Sequence, residues 1–292
     1  MARSNSTLIK PFIKWVGGKR QLLDVIYKNM PTDGYSTYCE PFLGGGALFL
    51  NEQPQKAIVN DENKELINTY KVIQRNLYEL IEALKVHNEK NSEDYFYDVR
   101  EWDRKPGYKK CSDVERAARL IYLNKTCFNG LYRVNSSGFF NTPYGRYKDP
   151  NIVNKHGLKA LNTYFNEADI KFMTGDFEDS VKYIRSGAFV YFDPPYVPLS
   201  PTSNYTGYTG GGFDEGDQTR LRNLCDRLHS RGVKFLLSNS NVPFVRELYT
   251  NQDYKIEIVG AKRAINADGK KRGEVEEVLI RNYDIQKRIK KL

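Results

Sequence analysis

The run Phe189-Val190-Tyr191-Phe192-Asp193-Pro194-Pro195-Tyr196 sets a carboxylate, two prolines and an aromatic ring directly behind an apolar stretch. An ionised Asp193 only accepts hydrogen bonds, and the Pro194 carbonyl is a second acceptor on a residue without an N–H. Two such acceptors side by side can hold both hydrogens of an exocyclic amino group on a flat base. Tyr196 can lie against the face of that base. The chemistry this suits is transfer to the amino group. On their own, the same residues also fit a strand-to-turn junction with a capping Asp.

The elements that position these groups read as follows. The apolar half of the run is a buried strand of a mostly parallel sheet, and the prolines end it at Asp193. The carboxylate therefore stands at the carboxyl end of a strand, where open α/β sheets bind ligands. Lys14-Trp15-Val16-Gly17-Gly18-Lys19 comes first in the chain. Its glycines let backbone approach a ligand closely. Trp15 is a flat apolar wall or a core residue, Lys19 is a cation beside the turn, and a helix is predicted from Gln21 to Asn29. Tyr38-Cys39-Glu40 reads as a short strand, and Pro41-Phe42-Leu43-Gly44-Gly45-Gly46 as a glycine turn opening a helix. This turn is neither GxGxxG nor a Walker loop, which disfavours NAD and ATP. A second strand over Lys56 to Val59 ends in Asn60-Asp61. Asp61 could accept from two ribose hydroxyls, cap a helix starting at Glu62, or do both.

From Glu62 to Thr126 apolar residues recur at helical spacing, interrupting the strand–helix alternation, so this block reads as an insert. It ends in Phe128 to Lys148, where Ser136-Ser137-Gly138 between alternating aromatic runs signals a hairpin. The hairpin carries Asn129, Leu131, Arg133, Arg146, Tyr147 and Lys148 and no acidic residue. Arg and Asn with aromatics on one ribbon suit major-groove and phosphate contacts. Alternation resumes at the strand Ile170 to Met173, followed by Gly175-Asp176-Phe177. Asp176 could accept from an adenine amino group and Phe177 stack on that ring, or the pair could be a turn Asp and a core Phe. Pro198 to Phe213 reads as a mobile loop able to close over the site, Asp217 to Arg231 as a helix, and Val233 to Ser238, Tyr254 to Val259 and Glu276 to Ile280 as strands. Lys262 to Arg272 reads as a basic loop placed to touch phosphate.

The whole chain of 292 residues has a net charge of +9, which favours an anionic partner. Four well-separated cysteines, no CxxC pair and three histidines disfavour a zinc site, and no metal is expected. The cysteine usage suits a reducing compartment, and a cytoplasmic location is expected. No apolar run approaches membrane-spanning length, and the polar Ala2 to Thr7 is not a signal peptide.

Taken in order, the Trp15 and Lys19 turn, Glu40-Pro41-Phe42-Leu43-Gly44-Gly45-Gly46, Asn60-Asp61, the Asn129-Gly130-Leu131 hairpin, Gly175-Asp176-Phe177 and Asp193-Pro194-Pro195-Tyr196 resemble the DNA adenine methylase (Dam) family, and especially its DpnII-type GATC modification methylases. The resemblance runs from about Pro11 to Tyr283. It implies a class I S-adenosylmethionine-dependent methyltransferase: an α/β, Rossmann-like, mostly parallel sheet with an inserted helical DNA-recognition domain carrying a β-hairpin. The expected division is 1–70 and 158–292 for the catalytic domain and 71–157 for the insert, with the hairpin at 129–147. It further implies N6 methylation of adenine in duplex GATC by base flipping. Asp193, Pro194 and Tyr196 would be catalytic. Trp15, Lys19, Asp61 and Asp193 would contact the cofactor, and Phe42, Gly44, Asp176 and Phe177 would line the adenosyl pocket. Arg133 would read a guanine and Leu131 wedge at the base step, with Asn129, Arg146 and Tyr147 also facing double-stranded DNA. A functional partnership with a restriction endonuclease is compatible with this resemblance. Two other readings stay open at this point: an amino methyltransferase acting on RNA, a protein glutamine or cytosine, and a catalytically silent DNA-binding regulator.

Overall fold

Alternating apolar strands and amphipathic helices build the first half of a sheet. In the computed structural model, which describes residues 9–15, 17–197, 212–262 and 274–285, a 3-10 turn over Lys19–Gln21 leads into α1 (Leu23–Asn29). Then come β1 (Tyr38–Glu40), α2 (Ala47–Glu52), β2 (Lys56–Asp61) and α3 (Lys64–Arg75). Most of the expected closing loop (198–211 of 198–213), most of the basic loop (263–272) and the basic tail (287–291) lie outside the described residues, as does the polar start.

Three further helices follow: α4 (Leu77–Lys90), α5 (Glu93–Arg100) and α6 (Asp113–Thr126). The start of α6 is fixed by a reciprocal cap. Ser112 accepts from the Glu115 N–H while the Glu115 carboxylate accepts from the Ser112 N–H. The chain re-enters the sheet through α7 (Lys155–Glu167), β3 (Asp169–Thr174), α8 (Phe177–Val181) and β4 (Phe189–Phe192). It ends with α9 (Glu215–Ser230), β5 (Lys234–Ser240), α10 (Pro243–Leu248), β6 (Lys255–Lys262) and β7 (Glu274–Arg281).

The seven strands lie in the order β3-β2-β1-β4-β5-β7-β6. The first five are parallel, and β7 runs antiparallel to both β5 and β6. This is the class I methyltransferase sheet that the resemblance implies. All four residues of β4 are buried, as a strand covered on both faces requires.

The helical block is not cored separately. Leu66, Leu80, Phe96, Ala117 and Phe140 share one apolar cluster with Phe49, Phe172 and Phe189 of the sheet side. α3 packs on β3 and on α6, and α7 on β3 and on α4. The boundaries expected at 70/71 and 157/158 accordingly fall inside α3 and α7, helices that serve both parts.

Local differences from the sequence reading have local causes. The cap of α3 is Asn63, which accepts from the Leu66 N–H, so Asp61 is not the helix cap; it accepts from the Asn63 N–H instead. The ribbon expected at 129–147 is present, but it pairs only at Cys127 with Tyr144 and Val134 with Phe140. Its tip is held by the Asn135 side chain, which accepts from the Ser137 and Phe139 N–H groups. Neither α7, α8 nor α10 is evident in the sequence. α8 and α10 are too short for a period to show, and α7 opens on Lys155-His156-Gly157. Since the reciprocal cap fixes α6, Ser112→Ala is expected to cost about 1 kcal/mol and to lower Tm by a few degrees, read by thermal melting.

Candidate active site

Between β1 and β4 the sheet grows in opposite directions, β2 and β3 to one side and β5 to the other, so a crevice opens outside their carboxyl ends. Glu40 ends β1 on one wall, and Asp193 follows β4 on the other.

Asp193 is largely buried, with its side chain 19% exposed. Lys19 Nζ lies 2.9 Å from its Oδ1, and Ser238 on β5 donates to the same oxygen at 3.1 Å. Burial pushes the Asp193 pKa up, and the Lys19 cation and the Ser238 hydroxyl pull against it. Lys19 also donates to the Gly17 carbonyl at 3.1 Å and sits 4.2 Å above the centre of the Tyr196 ring. One ammonium group thus touches the glycine turn, the carboxylate and the aromatic face together. The Tyr196 hydroxyl donates to Glu277 Oε2 on β7 at 2.6 Å. The turn after Asp193 is fixed from behind: Gln218 on α9 donates to the Pro195 carbonyl at 3.0 Å, Asn239 accepts from the Val197 N–H at 3.3 Å, and Ser240 donates to the Val197 carbonyl at 2.8 Å.

The glycine turn forms the floor. Gly44 and Gly46 have φ of +50° and +65°, a region that disfavours side chains. A Cβ at Gly44 would come within 2.9 Å of the Trp15 ring. The Trp15 ring therefore packs against the turn, and it also stacks on Tyr132 at 4.9 Å. The Gly44 N–H donates to Asp61 Oδ2 at 2.8 Å, which fixes the carboxylate at the end of β2. Burial pushes the Asp61 pKa up to about 6, with the Asn63 and Gly44 N–H groups opposing it. Glu40 is more deeply buried. Burial pushes it up to about 8; the 2.6 Å hydrogen bond from the Tyr38 hydroxyl opposes this, and the charge of Asp193 adds to it.

Phe42 stacks on Phe177 at 5.2 Å, and Phe213 packs edge-on against Phe42 at 5.6 Å, making an apolar aromatic cluster. Asp176 precedes Phe177 in this cluster, and its oxygens are engaged: Oδ1 accepts from the Glu178 N–H and Oδ2 pairs with Arg220 at 2.8 Å. Trp15, Lys19, Phe42, Gly44, Asp61, Phe177, Asp193 and Tyr196 thus gather around one crevice.

The residues expected to face DNA stand on the ribbon. Asn129 is exposed at φ +58°, Leu131 is half-buried, and Arg133 is exposed with its Nε donating to Asn141 at 2.8 Å. Arg146 is exposed but paired with Glu93 at 3.0 Å, and Tyr147 is 38% exposed. Ser238, Glu277, Gln218, Phe213 and Tyr132 are additions that the sequence reading missed as site residues. Ser238 ends a strand, a visible signal. Glu277 sits beside Glu276 in the middle of a strand and carries none.

A family model described as D12 class N6 adenine-specific DNA methyltransferase matches residues 15–265. The chain belongs to this family. The D12 methyltransferase is 48% identical over 97% of its length to type II methyltransferase M1.LlaDCHI of Lactococcus lactis subsp. cremoris, of which 99% is covered. It is 42% identical over 94% of its length to type II methyltransferase M.MjaIII of Methanocaldococcus jannaschii, again with 99% of that protein covered. To the DNA adenine methylase of Escherichia coli strain K12 it is 34% identical, over 92% of this chain and 94% of that one. It is accordingly an adenine-specific DNA methyltransferase that needs a methyl donor. The RNA, glutamine, cytosine and silent-regulator alternatives give way to this reaction. No helix among the described residues is long and apolar enough to cross a membrane.

The raised carboxyl of Glu40 makes the D12 methyltransferase sensitive to pH. A folded-state pKa near 8 against an ordinary value of 4.5 means that the native state holds a proton which the unfolded chain releases. The stability this contributes is complete below pH 4.5, falls as pH rises, and is gone above about 8. Glu40→Gln removes this dependence. Its Tm relative to wild type is expected to rise between pH 5 and 8.5 in buffered melts, whereas a constant difference would show that Glu40 is ionised throughout.

Proposed function

We propose that the enzyme transfers a methyl group from S-adenosylmethionine to the N6 amino group of adenine within GATC in duplex DNA, after everting that adenine from the stack. The observation that carries the reading is Asp193 at the switch between β1 and β4, with the Tyr196 ring beside it and the glycine turn opposite.

The crevice fits the donor by its own chemistry. Each Asp61 oxygen accepts one backbone N–H, leaving a lone pair on each for a ribose hydroxyl. The stacked Phe42 and Phe177 rings offer an apolar aromatic face on which a purine could pack. Asn60 Oδ1, buried close by, has no partner among the described residues. When bound, S-adenosylmethionine supplies an electrophilic methyl group on a sulfonium centre. The protein must supply the aligned acceptor.

An adenine amino nitrogen is a weak nucleophile, because its lone pair is delocalised into the ring. Asp193 and the Pro194 carbonyl would each accept one of its hydrogens and turn the lone pair toward the methyl group. Stacking on Tyr196 would fix the plane of the base, and Glu277 holds that ring by its hydroxyl. Lys19 now lies over the ring face that a stacked purine needs, so its ammonium must move aside as the base enters. Eversion costs a few kcal/mol, set against contacts made by the ribbon and basic surface. Rate enhancement then comes from alignment and preoriented dipoles. The donor would leave as a neutral thioether, and the proton shed by the methylated amino group would pass to the Asp193 carboxylate that accepts its hydrogen bond.

The type II names of the two bacterial and archaeal relatives support a functional pairing with a restriction endonuclease that cuts the same sequence. We expect Asp193→Ala to abolish methyl transfer while duplex affinity stays within a few-fold, measured by tritium incorporation and anisotropy. Retained turnover would remove Asp193 from the centre. Arg133→Ala is expected to cost about 1–3 kcal/mol at one G·C pair and to relax specificity there. A uniform loss over all duplexes would make Arg133 a phosphate contact. Mapping of methylated adenines on plasmid DNA tests the GATC assignment directly.

A further inference from the structure

A single buried amide joins the loop assigned to the methyl donor with the turn assigned to DNA. Asn124, in the last turn of α6, is 2% exposed. Its Oδ1 accepts from the Lys14 N–H at 3.0 Å, and its Nδ2 donates to the Lys14 carbonyl at 2.8 Å and to the Gly130 carbonyl at 3.0 Å. The three bonds use both hydrogens and one acceptor of the side chain, leaving it one committed orientation. Lys14 is adjacent to Trp15, which covers the glycine turn, and lies five positions before Lys19. Gly130 lies between Asn129 and Leu131 of the recognition ribbon.

The junction is close-packed as well as hydrogen-bonded. Asn129 and Gly130 both have positive φ, at 58° and 65°, so the ribbon enters on a sharply defined bend. A Cβ at Gly130 would approach the Lys14 side chain to 2.7 Å and the Asn124 carbonyl oxygen to 3.3 Å. One residue beyond Lys14 and two beyond Gly130, Trp15 and Tyr132 stack at 4.9 Å with 22° between their planes. The two segments, more than a hundred residues apart in sequence, therefore meet through one polar and one aromatic contact.

We infer that Asn124 is a positioning residue that couples the two substrates: ordering Lys14 to Lys19 around the methyl donor also orders the Asn129-Gly130-Leu131 bend that meets DNA. The inference rests on the reading of donor and DNA sites proposed above. Ligand binding that restricts one side of a shared joint lowers the entropy cost of ordering the other. The coupling is reciprocal, so a cognate duplex tightens the donor site by the same factor as the donor tightens the duplex site.

The test measures four affinities by calorimetry: sinefungin, an unreactive analogue of the donor, with and without a GATC duplex, in the wild-type protein and in Asn124→Asp. The variant keeps the acceptor for the Lys14 N–H and loses both donated bonds. In the wild type, the duplex is expected to tighten sinefungin binding about fivefold or more. In Asn124→Asp that ratio is expected to fall to within twofold of unity, while each ligand still binds alone. A ratio unchanged by the substitution overturns the inference. So does a wild-type ratio of one, which leaves the functional reading standing because both ligands still bind. A wild-type protein that binds neither ligand overturns the functional reading itself.

A second measurement needs no variant. Hydrogen exchange of the wild-type protein with sinefungin alone is expected to show slower exchange in peptides covering 128–132 as well as in those covering 14–19. Protection confined to 14–19 overturns the inference, whether or not Asn124→Asp folds.

Discussion

A carboxylate taken out of water needs a counter-charge or a proton, and the site of this methyltransferase is arranged around how Asp193 meets that need. Lys19 supplies the charge at 2.9 Å and Ser238 a hydroxyl at 3.1 Å. The same ammonium group rests on Tyr196, so the ion pair also sets where the aromatic ring and the glycine turn stand relative to each other. The sheet brings this about by its order. Only the switch between β1 and β4 leaves a gap into which loops from two strands can fold without a crossing helix above them. Glu40 and Asp61 sit beside the same gap, and burial raises both. Three acidic groups so close could not all ionise without cost. Burial and this mutual repulsion both push Glu40 toward its protonated form.

Much of this was legible in the sequence because the groups concerned are strand-terminal. Asp193, Asp61 and Glu40 each follow an apolar run and precede a proline, glycine or helix start, and such punctuation survives in one dimension. The glycine turn was legible for the same reason, and its ordered combination with the Asp-Pro-Pro-Tyr run marked the family. The residues that escaped notice act across the fold. Glu277 reaches Tyr196 from a strand eighty-one positions later. Tyr132 meets Trp15, and Asn124 meets Lys14, through contacts that no local pattern announces. Asp176 illustrates the converse. Its position was legible, but its engagement with Arg220 and with the start of α8 depends on α9, a separate element.

The helical block shows why domain limits are hard to read from periodicity. α3 and α7 are amphipathic toward two partners at once, the sheet and the block, so apolar spacing runs through the limits without a break. A shared core also means that the ribbon is held at a fixed distance from Asp193. Asp103 strengthens this, accepting from the Phe140 N–H at 2.9 Å while pairing with the buried Arg119 at 2.9 Å.

The ribbon itself has almost no ladder. Two isolated pairs, the Asn135 tip and side-chain anchors such as Thr142 on the Leu131 carbonyl give it its path. The Ser136 side chain stands exposed at the tip, and the Arg133 side chain reaches only across the ribbon to Asn141, so exchanging them leaves the sheet and the crevice untouched. If the ribbon meets DNA as proposed, a scaffold of this kind can drift from one target sequence to another by surface replacements alone, with the transfer chemistry inherited intact.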